Sequence, residues 1–218
     1  MKNKKLIYLV AALMVVVLAG ISYYYWHENT YYVSTDDAMI DGDVYNVSPQ
    51  VAAKIIEFDV NEGQMVNAGD IIARLDDTTL PPGSNSDLAV IRAPISGVVI
   101  KKVNHVGEVA APGYPVVMMV DPHALYVTAN IEETKVNRVH PGQPVDITVD
   151  QLPGKKFTGV VTSVTRATQA TFSLLPTGNT GGNFTKVTQR IPVRIALNAY
   201  QGAKLLYGAS AEVKIHVK

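Results

Sequence analysis

The chain begins with one long apolar run and then changes to short alternating segments. Residues 6–26 contain no charged side chain and end in Tyr-Tyr-Tyr-Trp. A helix of about 21 residues rises about 30 Å, the thickness of the hydrocarbon core of a bilayer. Three lysines precede the run, which is typical of a cytoplasmic flank, and the aromatic residues suit the opposite interface. We therefore predict that residues 1–27 form a cytoplasmic tail and one transmembrane anchor, with the rest outside the cytoplasm.

A cleaved signal peptide is the alternative interpretation of this run. A lysine-rich start, an apolar middle and the small residues Ala19 and Gly20 are also features of such peptides. The length of the run and the aromatic residues that follow favour a retained anchor. The chain contains no cysteine, so an acylated lipoprotein is excluded.

Beyond residue 27 the pattern indicates β structure. Short runs of Val, Ile and Thr alternate with Gly, Pro, Asn and Asp, which is typical of an all-β body. Pro192, inside the alternating run 190–197, predicts an edge strand or a bulge. One helix is predicted over residues 131–139, capped by Asn130 and ended by Pro141.

Composition narrows the possible functions. The 218 residues include 19 basic and 19 acidic side chains, for a formal net charge of zero, and no cysteine. The absence of cysteine excludes a disulfide scaffold, a thiolate metal site and a cysteine nucleophile. The neutral balance argues against nucleic-acid binding, which needs a basic face.

Residues 48–76 and 93–121 repeat one pattern. Each segment has a proline-led strand, two glycines with a valine between them, and an apolar strand that ends in aspartate. Glycine adopts positive φ cheaply, so we predict turns at all four positions. Val66 and Val109 are expected to point into a core. One such half is too small to be stable alone, so the two halves should pack as a flattened sandwich. The predicted turn residues are Gly63, Gly69, Gly107 and Gly113.

The paired pattern resembles the biotinyl/lipoyl domain, split in two, of HlyD-type membrane fusion proteins. These are the periplasmic adaptors of tripartite efflux and secretion systems. Residues 125–133 and 141–145 resemble the family's lead-in to its β-barrel, and residues 35–38 resemble the segment that enters the lipoyl half from the membrane side. Residues 172–195 are similar to the EmrA branch, which pairs with drug-exporting major facilitator transporters.

The resemblance implies a mainly β fold with an N-terminal transmembrane helix, a lipoyl-like sandwich and a β-barrel. The sandwich is expected over residues 45–122, with halves 45–80 and 88–122. The barrel is expected from residues 31–44 together with 123–218.

The implied function is that of a non-enzymatic adaptor in a multidrug export pump. It would be single-pass in the cell (inner) membrane, form a homo-oligomer and conduct substrate outward with a major facilitator transporter. The alternative is a membrane-surface scaffold or binding module without a transporter.

The chain departs from the family between the two halves. Typical adaptors insert a long α-helical hairpin there, whereas residues 77–90 contain no heptads and include Pro81-Pro82-Gly83, which breaks a helix. The hairpin is absent, either by nature or by design, so contact with an outer-membrane channel is not expected. The link also lacks the lysine that biotinyl and lipoyl carriers present on their turn, so carrier function is not expected.

No catalytic, cofactor-binding or metal-ligating residue is predicted. The five histidines are scattered without ligand spacing, and the aspartates of residues 36–43 do not fit a calcium loop. An apolar patch begins at residue 172 and either packs on the barrel or contacts a transporter, another protomer or a drug. The candidate contact residues are Phe172, Leu174, Leu175, Pro176, Asn179, Asn183 and Arg190.

Overall fold

A computed structural model describes residues 3–79, 85–165, 188–198 and 204–218. The backbone divides into two compact units. One comprises residues 1–38, 129–198 and 211–218, and the other comprises residues 39–128 and 199–210.

The helices and strands follow one another along the chain. They are α1 (Asn3–Tyr31), β1 (Tyr32–Asp41), β2 (Val44–Val47), β3 (Ala53–Phe58), β4 (Met65–Val66), β5 (Ile71–Leu75), β6 (Val90–Arg92), β7 (Gly97–Lys102), β8 (Val109–Ala110), β9 (Val117–Val120), β10 (Tyr126–Glu132), α2 (Glu133–Val136), β11 (Pro144–Val149), β12 (Lys156–Val164), β13 (Arg190–Asn198) and β14 (Ser210–His216).

The predicted N-terminal helix is present and is longer than its apolar run. α1 continues to Tyr31, and β1 begins at the next residue. Its segment Tyr8–Tyr31 has a mean hydropathy of 1.9 and no buried residue. By length and composition this segment is able to cross a membrane.

Six strands close into a barrel in the order β1-β10-β13-β12-β11-β14. Alternate residues are buried along β11, and Ile147 lies opposite Phe157 of β12 and Val213 of β14. This alternation fills the interior with branched side chains. β13 has a neighbour on both sides, so the prediction of an edge strand at Pro192 is wrong. The nearby register shift lies between Val161 and Ser163 on β12.

The helix predicted over residues 131–139 is reduced to the single turn α2. Asn130 does not cap it, because this residue lies in β10 and is only 4% exposed. Its backbone carbonyl accepts the hydroxyl of Thr35 at 3.1 Å, and its amide nitrogen donates to Asp37 at 3.0 Å. Strand pairing and these contacts between the neighbouring strands β1 and β10 override the local capping pattern.

The sandwich consists of two four-stranded sheets, β2-β9-β7-β4 and β6-β5-β3-β8. The halves exchange their shortest strands: β4 of the first half pairs with β7, and β8 of the second half pairs with β3. Ile55, Ile72, Val99, Val117 and Met119 are fully buried between the sheets. Each such side chain contributes about 1.5–3 kcal/mol of transfer free energy.

The four predicted turn glycines of the repeat all have positive φ, from 80° to 96°, but the two valines differ. Val66 is 3% exposed, whereas Val109 is 68% exposed and Ala110 is buried in its place. The expectation for Val109 is therefore wrong. This valine comes one position earlier after its glycine than Val66 does, and a shift of one residue in a strand moves a side chain to the opposite face.

The link between β5 and β6 consists of short local structures in its described part. Two 3-10 helices, Asp77–Thr79 and Ser86–Ala89, flank residues 80–84. The Asp76 carboxylate accepts the Thr78 hydroxyl at 2.6 Å, and this hydrogen bond lowers the pKa of Asp76. The chain thus lacks the long helical hairpin at this position.

Candidate functional site

Arg190 takes part in a polar network in the barrel. Its Nη1 donates to Oδ2 of Asp37 at 2.9 Å, while Nδ2 of Asn130 donates to Oδ1 of the same carboxylate at 3.0 Å. The three residues lie on β13, β1 and β10, which are adjacent in the barrel. The carboxylate therefore ties three strands together at the point where β13 begins.

This network is suited to holding the three strands together. Asp37 and Arg190 are about two-fifths exposed, so water screens their attraction. Both carboxylate oxygens accept strong donors, and an arginine is always protonated. The remaining predicted contact residues lie outside the described residues. They are Phe172, Leu174, Leu175, Pro176, Asn179 and Asn183.

A second cluster joins the end of α1 to the barrel. Arg138 donates from Nη1 to the carbonyl oxygen of Asn29 at 2.8 Å and from Nη2 to that of Thr30 at 2.6 Å. The last carbonyls of a helix have no partner within it and carry partial negative charge. A guanidinium that bridges two of them satisfies both the hydrogen bonds and the charge.

Lys214 of β14 contacts the same end of α1. Its ammonium group forms an ion pair with Glu28 and lies 4.0 Å from the centroid of the Tyr32 ring. The hydrogen bond to the Glu28 carboxylate raises the pKa of Lys214. In addition, the Val217 amide donates to the Tyr31 carbonyl at 2.9 Å. Sequence reasoning missed this joint, because no local pattern connects α1 with residues 138 and 214.

The geometry offers no metal centre in the part of the chain that the structure describes. No group of three or more His, Cys, Asp or Glu side chains comes together there. His216 lies 2.7 Å from a carboxylate oxygen of Asp146 and packs edge-on against Tyr32. These contacts of His216 therefore support a structural role.

Comparison with known proteins identifies both β modules. Residues 43–122 match the RND MFP barrel-sandwich hybrid domain, and residues 124–216 match the AAEA-like beta-barrel domain. The chain is also 34% identical over 188 residues to the "Putative efflux system component YhbJ" of Bacillus subtilis (strain 168), covering 86% of this chain and 81% of that protein. The chain belongs to the membrane fusion proteins.

The relatives place this membrane fusion protein in the EmrA type. It is 37% identical over 130 residues to the multidrug export protein EmrA of Haemophilus influenzae, covering 58% of this chain and 33% of that one. The chain thus spans about a third of the length of this relative. A solved structure of the periplasmic adaptor protein EmrA superposes with a TM-score of 0.61 at 16% identity, covering 85% of this chain and 98% of that one. That likeness concerns the fold. This membrane fusion protein is thus an adaptor of an efflux system, which is a non-catalytic role.

Proposed function

We propose that this membrane fusion protein is a single-span adaptor that works with a major facilitator drug transporter in the cell (inner) membrane. One observation carries the proposal: the apolar helix α1 runs without a break into β1, a strand of the barrel. The anchor and the barrel therefore share one backbone. The similarity to YhbJ and to the EmrA proteins supports an export role.

The orientation follows from charge. Lysines precede the apolar run, and basic flanks stay in the cytoplasm. The sandwich and barrel would then lie outside the cytoplasm. The anchor holds them beside a membrane-embedded transporter at high effective concentration, so weak contacts suffice for assembly.

The two β modules would form the conduit. In this proposal residues 45–122 form the sandwich, and residues 31–44 with 123–218 form the barrel. Protomers would associate through these modules into a homo-oligomeric ring that receives substrate from the transporter. Phe172, Leu174, Leu175 and Pro176 would supply apolar contacts to the transporter, another protomer or the drug, and Asn179, Asn183 and Arg190 would supply polar ones. No cofactor takes part in this mechanism.

The short link limits the reach of the assembly. Only residues 76–89 separate β5 from β6, and a chain of this length cannot form a long coiled hairpin. We do not expect this protein to contact an outer-membrane channel.

Co-purification tests the proposal. The full chain with a C-terminal affinity tag would be expressed in its own host, extracted from membranes in mild detergent, and its partners identified by mass spectrometry. We expect a multi-span major facilitator transporter. A tagged variant lacking residues 2–26 is the control, and it should lose both the membrane fraction and the transporter. A membrane-bound chain that brings down no transporter would favour the scaffold alternative.

A further inference from the structure

A cleft of about 320 Å³ lies where α1 meets the barrel. Its walls come from the last turns of α1, the start of β1 and the short helix α2. The lining residues are Tyr25, Glu28, Asn29, Tyr32, Val33, Ser34 and Lys135.

The cleft presents one charge of each sign. Glu28 is held by Lys214 on one side, and Lys135 lies 3.0 Å from the Glu132 carboxylate on the other. The side chains of Glu28 and Lys135 remain 31% and 39% exposed, so both retain hydrogen-bonding capacity. The hydroxyl of Ser34 adds a neutral acceptor and donor. The lining is therefore polar and carries balanced charges.

The position of the cleft indicates which molecules it meets. Tyr25 belongs to the aromatic run of residues 23–26, whose side chains are all more than 60% exposed. Tyrosine and tryptophan at the end of a transmembrane helix lie at the level of the lipid headgroups. This step rests on the membrane anchoring proposed above.

We propose that the cleft binds the headgroup of phosphatidylethanolamine, with its phosphate at Lys135 and its ammonium group at Glu28. A zwitterionic headgroup matches the two charges of the lining. The anionic phosphatidylglycerol would bring only a phosphate and leave Glu28 facing negative charge. The quaternary ammonium group of phosphatidylcholine has no N–H to donate to a carboxylate or to Ser34.

Native mass spectrometry of the full chain in detergent tests this site. The protein would be titrated separately with phosphatidylethanolamine, phosphatidylglycerol and phosphatidylcholine of identical acyl chains. We expect the ethanolamine lipid to bind about fivefold more tightly than the other two, as for one partly exposed charged contact. Glu28→Gln should abolish this preference, because the Glu28 carboxylate is the group that distinguishes the ethanolamine ammonium group from the other two headgroups. Lys135→Ala should instead weaken the binding of all three lipids, because they share the phosphate, and Lys135→Arg should bind as the wild type does. Lys101→Ala, on an exposed position of β7, is the matched control and should behave as wild type.

Two results would overturn the proposal: equal affinity of the wild type for the three lipids, or an unchanged preference in Glu28→Gln. Separating the cells that express the protein into membrane and soluble fractions distinguishes failure of the headgroup site from failure of the proposed function. Membrane-bound protein without lipid preference refutes the headgroup site alone. Wild-type protein recovered from the soluble fraction refutes the anchoring and, with it, the site.

Discussion

Ile55 and Val99 occupy equivalent places in the two halves of the sandwich, and each makes the same two backbone hydrogen bonds to the other half. The backbone carbonyl of Ile55 accepts a hydrogen bond from the Gly107 amide at 2.8 Å, and the Ile55 amide donates to the backbone carbonyl of Glu108 at 2.8 Å. The backbone carbonyl of Val99 accepts a hydrogen bond from the Gly63 amide at 2.7 Å, and the Val99 amide donates to the backbone carbonyl of Gln64 at 3.0 Å. The turn of each half is thus fixed by the centre of the other.

Gly63→Val should destabilise the protein through backbone strain. Gly63 has a φ of 80° and an added Cβ would meet nothing within 4 Å, so the cost is conformational. We expect a loss of about 1–3 kcal/mol in the free energy of unfolding, measured by denaturant titration. Gly63→Asn is the control, since asparagine tolerates this region, and it should cost less. An unchanged midpoint for the valine variant would contradict the turn assignment.

Gly97→Ala should be costly for a different reason. A Cβ at Gly97 would lie 2.5 Å from the backbone oxygen of Val120, which belongs to a paired strand and cannot move aside. We expect a loss of about 2–4 kcal/mol in the free energy of unfolding. This loss should be larger than that of Gly63→Ala, measured in the same thermal or denaturant experiment. Equal effects of the two alanines would show that this close approach is relieved at little cost.

Arg190→Ala should loosen the start of β13. The substitution removes one of the two donors of the Asp37 carboxylate. For a partly exposed ion pair we expect a loss of about 0.5–1 kcal/mol in the free energy of unfolding. A double-mutant cycle with Asp37→Asn isolates the pairwise coupling. A coupling energy of zero would mean that the ion pair contributes nothing to stability.

Arg138→Ala should release the end of α1. Two helix carbonyls, those of Asn29 and Thr30, lose their donors. Amide hydrogen exchange of residues 27–32 in detergent should accelerate about three- to tenfold, the effect of about 1 kcal/mol. Arg138→Lys should give an intermediate rate, because a single ammonium group cannot reproduce the planar fork. Unchanged exchange in the alanine variant would argue against the joint.

Glu108 should contribute stability that is lost in acid. Its carboxylate accepts the His105 amide at 3.1 Å and the Asn104 side chain at 2.9 Å, and these hydrogen bonds lower its pKa, the His105 amide most. A lowered folded-state pKa means that the contribution is present above the ordinary value of 4.5 and disappears as the pH falls through the folded value. An NMR titration should give a pKa below 4.5 for the Glu108 carboxyl group. Glu108→Gln should make the free energy of unfolding depend less on pH in the acid range. A normal pKa would refute the arrangement.

The features that the sequence predicts are those encoded by local periodicity. The apolar length of α1, the repeat and the strand alternation all indicate the fold class, because burial of one face imposes a period on the chain. The errors arise where partners distant in sequence decide. Asn130 has the pattern of a helix cap but is buried against Asp37, and Val109 has the pattern of a core residue but lies one position out of phase with Val66.

The candidate site residues show that sequence patterns do not reveal contacts between distant parts of the chain. Arg190 stands out within the EmrA-like run, yet the role its geometry supports is a contact with Asp37, far away in the chain. Arg138 and Lys214 carry no motif at all. Closure of the barrel brings Arg138, in the turn after α2, and Lys214 of β14 to the end of α1.

The exchange of β4 and β8 has a consequence for biogenesis. A ribosome delivers the first half of the sandwich while the sheet that will accept β4 has not yet been made, and β1 emerges before β10 and β14, its two neighbours in the barrel. The early strands must therefore wait with open edges, exposed to wrong partners. β4 waits until β7 has been made, and β1 waits until β10 and β14 have been made.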